Sequence, residues 1–277
     1  ALMAIRQCQL KHKDGRMFDG SIYLQGLAAM ALFGLLGWII SVYRHNVTIV
    51  DSMWSLFFLL GASVYAWLAG PEPRTWLVLA LVSLWALRLT IYLSWRNRGP
   101  HEDHRYQAIR RNNEPHFWLK SLYIVFGLQA VLAWLVSLPL LGSLLSSAAL
   151  GWMDLLGVAL WFTGLLWESI ADWQLARFKA TAPRGAVMDS GLWRYSRHPN
   201  YFGEFCIWWG FYLLALSAGA WWALPGPLLM TLLLLKVSGV ALLEKDIGDR
   251  RPAYAAYVQS TPAFFPWFPN SRITKEN

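Results

Sequence analysis

Charge is what this sequence has least of. Asp, Glu, Lys and Arg make up 14% of it, against about 25% in a soluble domain. A soluble enzyme, a disordered chain and a coiled coil all need more, so all three are excluded. Cysteine is scarce as well. Cys8 and Cys206 are the only two, too few for a disulfide framework, and Cys206 lies in an apolar run where it reads as a small core residue. No Gly-x-Gly-x-x-Gly follows a strand, which excludes a Rossmann fold. Glu102, Asp103, His104 and His198 match no metal-ligand spacing, so no metal is expected. There is no internal repeat and no low-complexity tract.

What is there is apolar: 56% of the residues, with 18 Trp among them. The sequence therefore predicts an all-α, polytopic integral membrane bundle, with residues 1–20 as a tail, 21–243 as one bundle and 244–277 as a cytoplasmic closing segment. About 20 apolar residues cross a bilayer as helix. Ser21–Tyr43 carries no charge and reads as the first span. The second runs over Val50–Gly70, stopped at Pro71-Glu72-Pro73, and the third over Thr75–Trp95 with one charge, Arg88. Phe117–Leu141 is the fourth and Ala148–Trp173 the fifth. Phe205–Leu235 is uncharged throughout, about 46 Å as one helix. It is expected to break near Ala218-Gly219-Ala220 into Asn200–Ser217 and Trp221–Leu243. That makes about seven spans. The basic start precedes an apolar run too long for the core of a signal peptide.

Lys and Arg concentrate in cytoplasmic loops. Arg96–Pro115 holds five Arg, and Gln174–Pro199 holds four Arg and a Lys. These loops and the C-terminus are expected in the cytoplasm, leaving the N-terminus outside, against the charge of Arg6, Lys11, Lys13 and Arg16. The net charge of +8 is then a loop property, not a sign of nucleic-acid binding. Cationic loops also suit an anionic cofactor or lipid headgroups. The expected location is a bacterial inner membrane.

The most chemically loaded string is Gly191-Leu-Trp-Arg-Tyr-Ser-Arg-His-Pro-Asn-Tyr-Phe-Gly-Glu204. His198 and Pro199 read as a helix start, and Glu204 lies one turn after Asn200 on the same face. Tyr195, Arg197 and Tyr201 complete the polar set. A helix N-terminus flanked by arginines can hold an anion, and a carboxylate at that depth is costly unless paired. The plainer alternative is an interfacial anchor.

This string resembles a superfamily of membrane enzymes that includes steroid 5α-reductases, sterol reductases and isoprenylcysteine carboxyl methyltransferases. Asn200–Glu204 is most similar to the steroid reductase branch and its bacterial relatives, while Arg197-His198-Pro199 is shared with the methyltransferases. The resemblance implies an NADPH-dependent reductase of a lipophilic enone that enters from the bilayer. It implies that Glu168 and Asp172 hold the adenosine end of NADPH, with Arg177 and Lys179 on its 2′-phosphate. It also implies that the segment Glu244-Lys245…Arg250-Arg251…Tyr254…Tyr257…Phe265-Pro266 folds over the cofactor. An S-adenosylmethionine-dependent lipid methyltransferase is the alternative.

In the third span Trp85, Arg88, Tyr92 and Trp95 form one helical stripe. Arg88 should face the bundle interior with a partner, for which Asp51 is the candidate. The resemblance implies that Asp51 stands where a Glu polarises the substrate ketone, and Arg88 where an Arg contacts the cofactor. Trp85 stands where a Tyr would, so Tyr92 is the remaining phenol on that face. The loop Asn97-Arg98-Gly99…Glu102-Asp103-His104-Arg105-Tyr106 reads as a lid or cofactor clamp through Asn97, Arg105 and Tyr106, or as a solvated loop.

Overall fold

The computed structural model describes residues 18–99, 101–183, 185–237, 240 and 254–269. Among them every regular element is helical. Besides two short 3-10 turns at Gly191–Arg194 and Trp221–Ala223, these are, in chain order, α1 (Gly20–Arg44), α2 (Ile49–Ala69), α3 (Pro73–Arg96), α4 (His104–Asn113), α5 (Phe117–Val136, widened to π-helix over Leu122–Gly127) and α6 (Leu138–Leu144). They are followed by α7 (Trp152–Thr181), α8 (Pro199–Ser217), α9 (Pro225–Leu232, continuing as π-helix through Leu233–Val237) and α10 (Tyr254–Ser260). Five of them, α1, α2, α3, α5 and α7, are long and apolar enough to cross a membrane. The chain is an integral membrane protein.

Local chemistry explains where the helices begin and end. Asp19 caps α1, accepting from the Ile22 N–H at 3.0 Å. Pro73 starts α3 at a position where no amide is needed. The expected fourth span runs unbroken to Leu141, but the helix ends at Val136 and restarts at Leu138. Pro139 lacks an N–H and its ring opposes the carbonyl four residues back. The Ser137 hydroxyl takes up the local slack by donating to the Trp134 carbonyl at 2.7 Å. The stripe expected on α3 also turns as it runs. Trp85 is buried against Phe58 while Trp95 is half exposed, because ten residues at about 100° each end roughly 80° off the starting direction.

The chain divides into two compact units. One comprises residues 1–151 and 214–226, the other 152–213 and 227–277. In the first, α1, α2 and α3 pack side by side, with α5 against α1 and α2 and α6 against α2 and α3. Arg74 is fully buried here. It donates to the carbonyls of Ala148, Leu214 and Ala149 at 3.3, 3.0 and 3.2 Å, so its charge meets the negative end of the last turn of α8.

In the second unit α7 and α8 meet along glycines. A Cβ on Gly164 would lie 2.5 Å from the Gly203 carbonyl oxygen, and one on Gly203 would lie 2.6 Å from the Glu168 nitrogen. A Cβ on Gly210 would lie 2.8 Å from the Gly157 carbonyl oxygen. Lipid cannot drive two apolar helices together by the hydrophobic effect, so backbone contact through small residues does it.

Candidate functional site

The sequence-predicted residues fall into two groups, one in each unit. In the first, Asp51 lies in the opening turn of α2, where a carboxylate suits the helix dipole. Its Oδ1 accepts from the Tyr106 hydroxyl at 2.6 Å and its Oδ2 from Arg105 Nη2 at 2.7 Å. Arg96 Nη2 stands 3.6 Å and Asn97 Nδ2 3.5 Å from the same Oδ2. The partner of Asp51 is thus Arg105, and Arg88 is not among its partners. The reason is geometric: α4 brings Arg105 over the start of α2, whereas Arg88 lies more than two turns deeper along α3. Both carboxylate oxygens of Asp51 thus accept, one from a phenol and one from a guanidinium.

The same helix carries a second pair. Arg110 Nε and Nη2 donate to Glu102 at 2.9 and 2.8 Å, and Glu102 Oε1 also accepts from the Val47 N–H at 3.0 Å. Asp103 caps α4, accepting from the Arg105 N–H and Nε, both at 2.9 Å. The Asp103 N–H donates to Thr48 Oγ1 at 2.9 Å. Of the segment expected as a lid or clamp, His104–Tyr106 forms the first turn of α4, which docks on the start of α2 through Tyr106 and Arg105. Burial pushes the Glu102 carboxyl up, but hydrogen bonds from Arg110 and Val47 and the Arg110 charge outweigh it, and the net shift is downward. Asp103 moves down against its burial for the same kind of reason, through Arg105 and His104. Burial, then the Asp51 charge, raise the Tyr106 phenol well above its ordinary value. Tyr92, half-buried on α3, has the guanidinium carbons of Arg88 and Arg96 at 5.8 and 6.0 Å from its ring centre.

In the second unit Glu168 and Asp172 are buried one turn apart on α7, and Glu204 is buried on α8 beside Gly203. The glycine seam lets the Gly203 backbone touch that of Glu168. Asn200 Nδ2 donates to Asp172 Oδ1 at 3.4 Å, joining the two motifs. His198 is buried and stacks on Tyr201 with ring centres 5.6 Å apart. Arg177 and Lys179 are exposed in the last turns of α7, Arg177 over the ring of Trp173.

Arg197 and Tyr257 are engaged with main chain. Arg197 Nη1 donates to the carbonyls of Val258 and Thr261 at 3.0 and 2.6 Å, closing the C-terminal end of α10. The Tyr257 hydroxyl donates to the Trp193 carbonyl in a short bond. Tyr254 lies edge-on to Tyr257, and the Tyr195 carbonyl accepts from the Trp267 N–H at 2.9 Å. The part of the closing segment at Glu244–Arg251 lies outside the described residues.

Sequence reasoning did not find Thr48, the Glu102–Arg110 pair, Arg74, or the contacts that hold the C-terminal segment, Tyr257 on the Trp193 carbonyl and the Ser196 hydroxyl donating to the Phe264 carbonyl at 2.8 Å. Asp103 ahead of a helix was a readable cap signal. The others pair over long sequence separations and leave no local pattern. Among the described residues no cluster of His, Cys, Asp and Glu could hold a metal ion.

An uncharacterised protein of Schizosaccharomyces pombe is 27% identical, the alignment covering 90% of this chain and 81% of the yeast protein. No solved structure matches. A family model described as a protein of unknown function, DUF1295, in the steroid 5α-reductase-like group, matches residues 37–261. By that match, which spans most of the sequence, the chain belongs to the DUF1295 family.

Proposed function

We propose that this protein is a membrane-embedded, NADPH-dependent reductase of a lipophilic enone, in a bacterial branch related to the steroid 5α-reductases. The observation that carries the reading is the Asn200–Asp172 hydrogen bond, one turn from Glu168 on α7. It unites the Asn-Tyr-Phe-Gly-Glu string with the paired acids of α7, the two motifs that resemble that branch.

The donor set fits the cofactor. Asp172, Glu168 and Glu204 are acceptors of the kind that hold ribose hydroxyls. Asn200 offers an amide, and the exposed Arg177 and Lys179 suit a 2′-phosphate, Arg through its bidentate fork. When bound, NADPH supplies the hydride. In the first unit Tyr92 is the group suited to donate a hydrogen bond to a substrate carbonyl. Positive charge at Arg88 and Arg96 favours the negative charge that builds as the carbonyl oxygen becomes an enolate. Asp51 then acts by holding Arg105 and Arg96 in place.

The finer topology belongs to the same reading. The 19 residues of α8 and the shorter apolar stretch Trp221–Val237 supply a sixth and a seventh crossing. The arginine-rich ends put the C-terminus in the cytoplasm and the N-terminus outside.

The test is binding to the full chain purified in mild detergent, titrated with NADPH, NADH and S-adenosylmethionine. NADPH is expected to bind tightest. Asn200→Ala should weaken it, and Arg177→Ala should reduce the preference over NADH by about tenfold, one charged hydrogen bond's worth. Tight S-adenosylmethionine binding without NADPH binding would replace the reductase by a methyltransferase.

A further inference from the structure

Along α7 two exposed tryptophans, Trp152 and Trp173, mark a distance. They are 71% and 58% exposed and stand 21 residues apart, about 32 Å of helix, close to the thickness of a bilayer's hydrocarbon core. Between them Leu155, Leu166 and Ile170 are exposed and lipid-facing. Tryptophan gathers at both membrane–water boundaries, so Trp173 marks one boundary, and the turns carrying Arg177 and Lys179 run past it. In the first unit α3 repeats the spacing, with exposed Trp76 and Trp95 about 28 Å apart.

The C-terminal segment is stitched to the second unit at the level of Trp173. Trp193 Nε1 donates to the Ala171 carbonyl at 3.1 Å, and the Trp267 N–H donates to the nearby Tyr195 carbonyl. The Phe202 ring contacts Trp167 on one side and both Phe264 and Phe265 on the other. Phe264 is buried, yet Phe265, Trp267 and Phe268 are 59%, 71% and 75% exposed. Leaving each such ring in water forfeits about 1.5–3 kcal/mol of burial. The neighbouring residues are polar: Gln259, Ser260 and Thr261 line an open hollow of about 620 Å³ together with Trp267 and Phe268. Arg194 and Arg177 are exposed in the same unit.

We propose that Phe265–Phe268 is an interfacial anchor whose rings lie at the headgroup–acyl boundary of an anionic phospholipid leaflet, at the depth of Trp173. The exposed rings supply an apolar part, Gln259, Ser260 and Thr261 a polar one, and the exposed arginines match anionic headgroups. The anchor holds α10, and through Arg197 and Tyr257 the start of α8, against the membrane surface.

The test uses the full chain with Cys8→Ser, reconstituted in phosphatidylcholine–phosphatidylglycerol vesicles and spin-labelled singly at Trp267→Cys or Phe268→Cys. Collision with oxygen, which concentrates in lipid, is compared with collision with a water-soluble nickel chelate. Labels at Trp173→Cys and Gln259→Cys serve as boundary and aqueous references. The 267 and 268 labels should group with 173, at an oxygen-to-nickel ratio several-fold above that at 259. Grouping with 259 would overturn the proposal in favour of a segment in water. Shielding from both colliders would overturn it in favour of a protein partner or a second copy. Where a cysteine variant fails to fold, Trp267→Phe should remove a fluorescence component quenched by shallow-brominated lipid, and unchanged quenching would count against the anchor.

Discussion

The Tyr106 hydroxyl donates to the Asp51 carboxylate across 55 residues of chain, at 2.6 Å. That bond and the Arg105 ion pair tie a short helix outside the bilayer to the first turn of a membrane span. Asp51 is the shared acceptor of both, and its removal leaves Arg105 with Asp103 alone. Asp51→Asn should cost about 2–3 kcal/mol, at or below the range for breaking a buried pair, because Arg105 keeps some solvent contact. Thermal unfolding in detergent measures this. Turnover per folded molecule should fall far less than stability; a variant of native stability with no turnover would return Asp51 to catalysis.

The docking of α4 should fail at both ends of the pH range. Glu102 and Asp103 have folded-state carboxyls below their ordinary values of 4.5 and 3.8. Their contribution is present above those values and lost as pH falls through the lowered ones. Tyr106 is raised above its ordinary 10.0, so its contribution is present below pH 10 and lost as pH climbs through the raised value. Protection factors of the α4 amides, exchange measured relative to the intrinsic rate at each pH, should be flat between pH 6 and 8, as none of these three groups titrates there. Protection should fall below about pH 4, and Glu102→Gln should weaken that acid limb.

Much of this architecture was legible and part was not, for physical reasons. The boundaries of α1, α2, α3 and α8 follow from long apolar runs with few or no charges, ended by Asn, Pro and Gly, because a bilayer imposes length and polarity on each span. The break at Ser137 was missed although Pro139 was in view; a long apolar run outweighed a single breaker. In the second unit the resemblance pointed to Asn200, Glu168 and Asp172 as cofactor residues without implying that Asn200 and Asp172 touch, and the glycines of the seam were in plain sight. Their seven-residue spacing on both helices means little until the two are known to be antiparallel neighbours. Arg105 as the partner of Asp51 was out of reach, since the docking of α4 depends on Thr48, Val47 and Glu102 converging from separate segments.

The glycine seam should tolerate almost nothing larger. Gly203→Ala sets a methyl 2.6 Å from the Glu168 nitrogen, and Gly164→Ala sets one 2.5 Å from a carbonyl oxygen. Both neighbours are backbone and cannot rotate away. Each change should cost about 3 kcal/mol or more, the upper end for overpacking, and should move Glu168 relative to Asn200. Gly151→Ala meets nothing within 4 Å and should leave the unfolding temperature unchanged. Equal stability of Gly203→Ala and Gly151→Ala would mean that α7 and α8 are not in contact.

Arg197 and Tyr257 offer a way to separate holding the closing segment from holding a cofactor. Tyr257→Phe deletes one hydrogen bond, worth about 1 kcal/mol, and leaves the ring contact with Tyr254. Arg197→Gln removes the charge that closes the end of α10, where Val258 and Thr261 present carbonyls. If both residues act through the segment, each variant should speed protease cleavage and amide exchange across Tyr254–Phe268, and NADPH affinity should fall in proportion to that loosening. Nucleotide added in excess should then restore protection, because binding to the ordered state shifts the equilibrium by mass action. If Arg197 instead grips the nucleotide directly, affinity should drop while exchange in the segment stays at the wild-type rate.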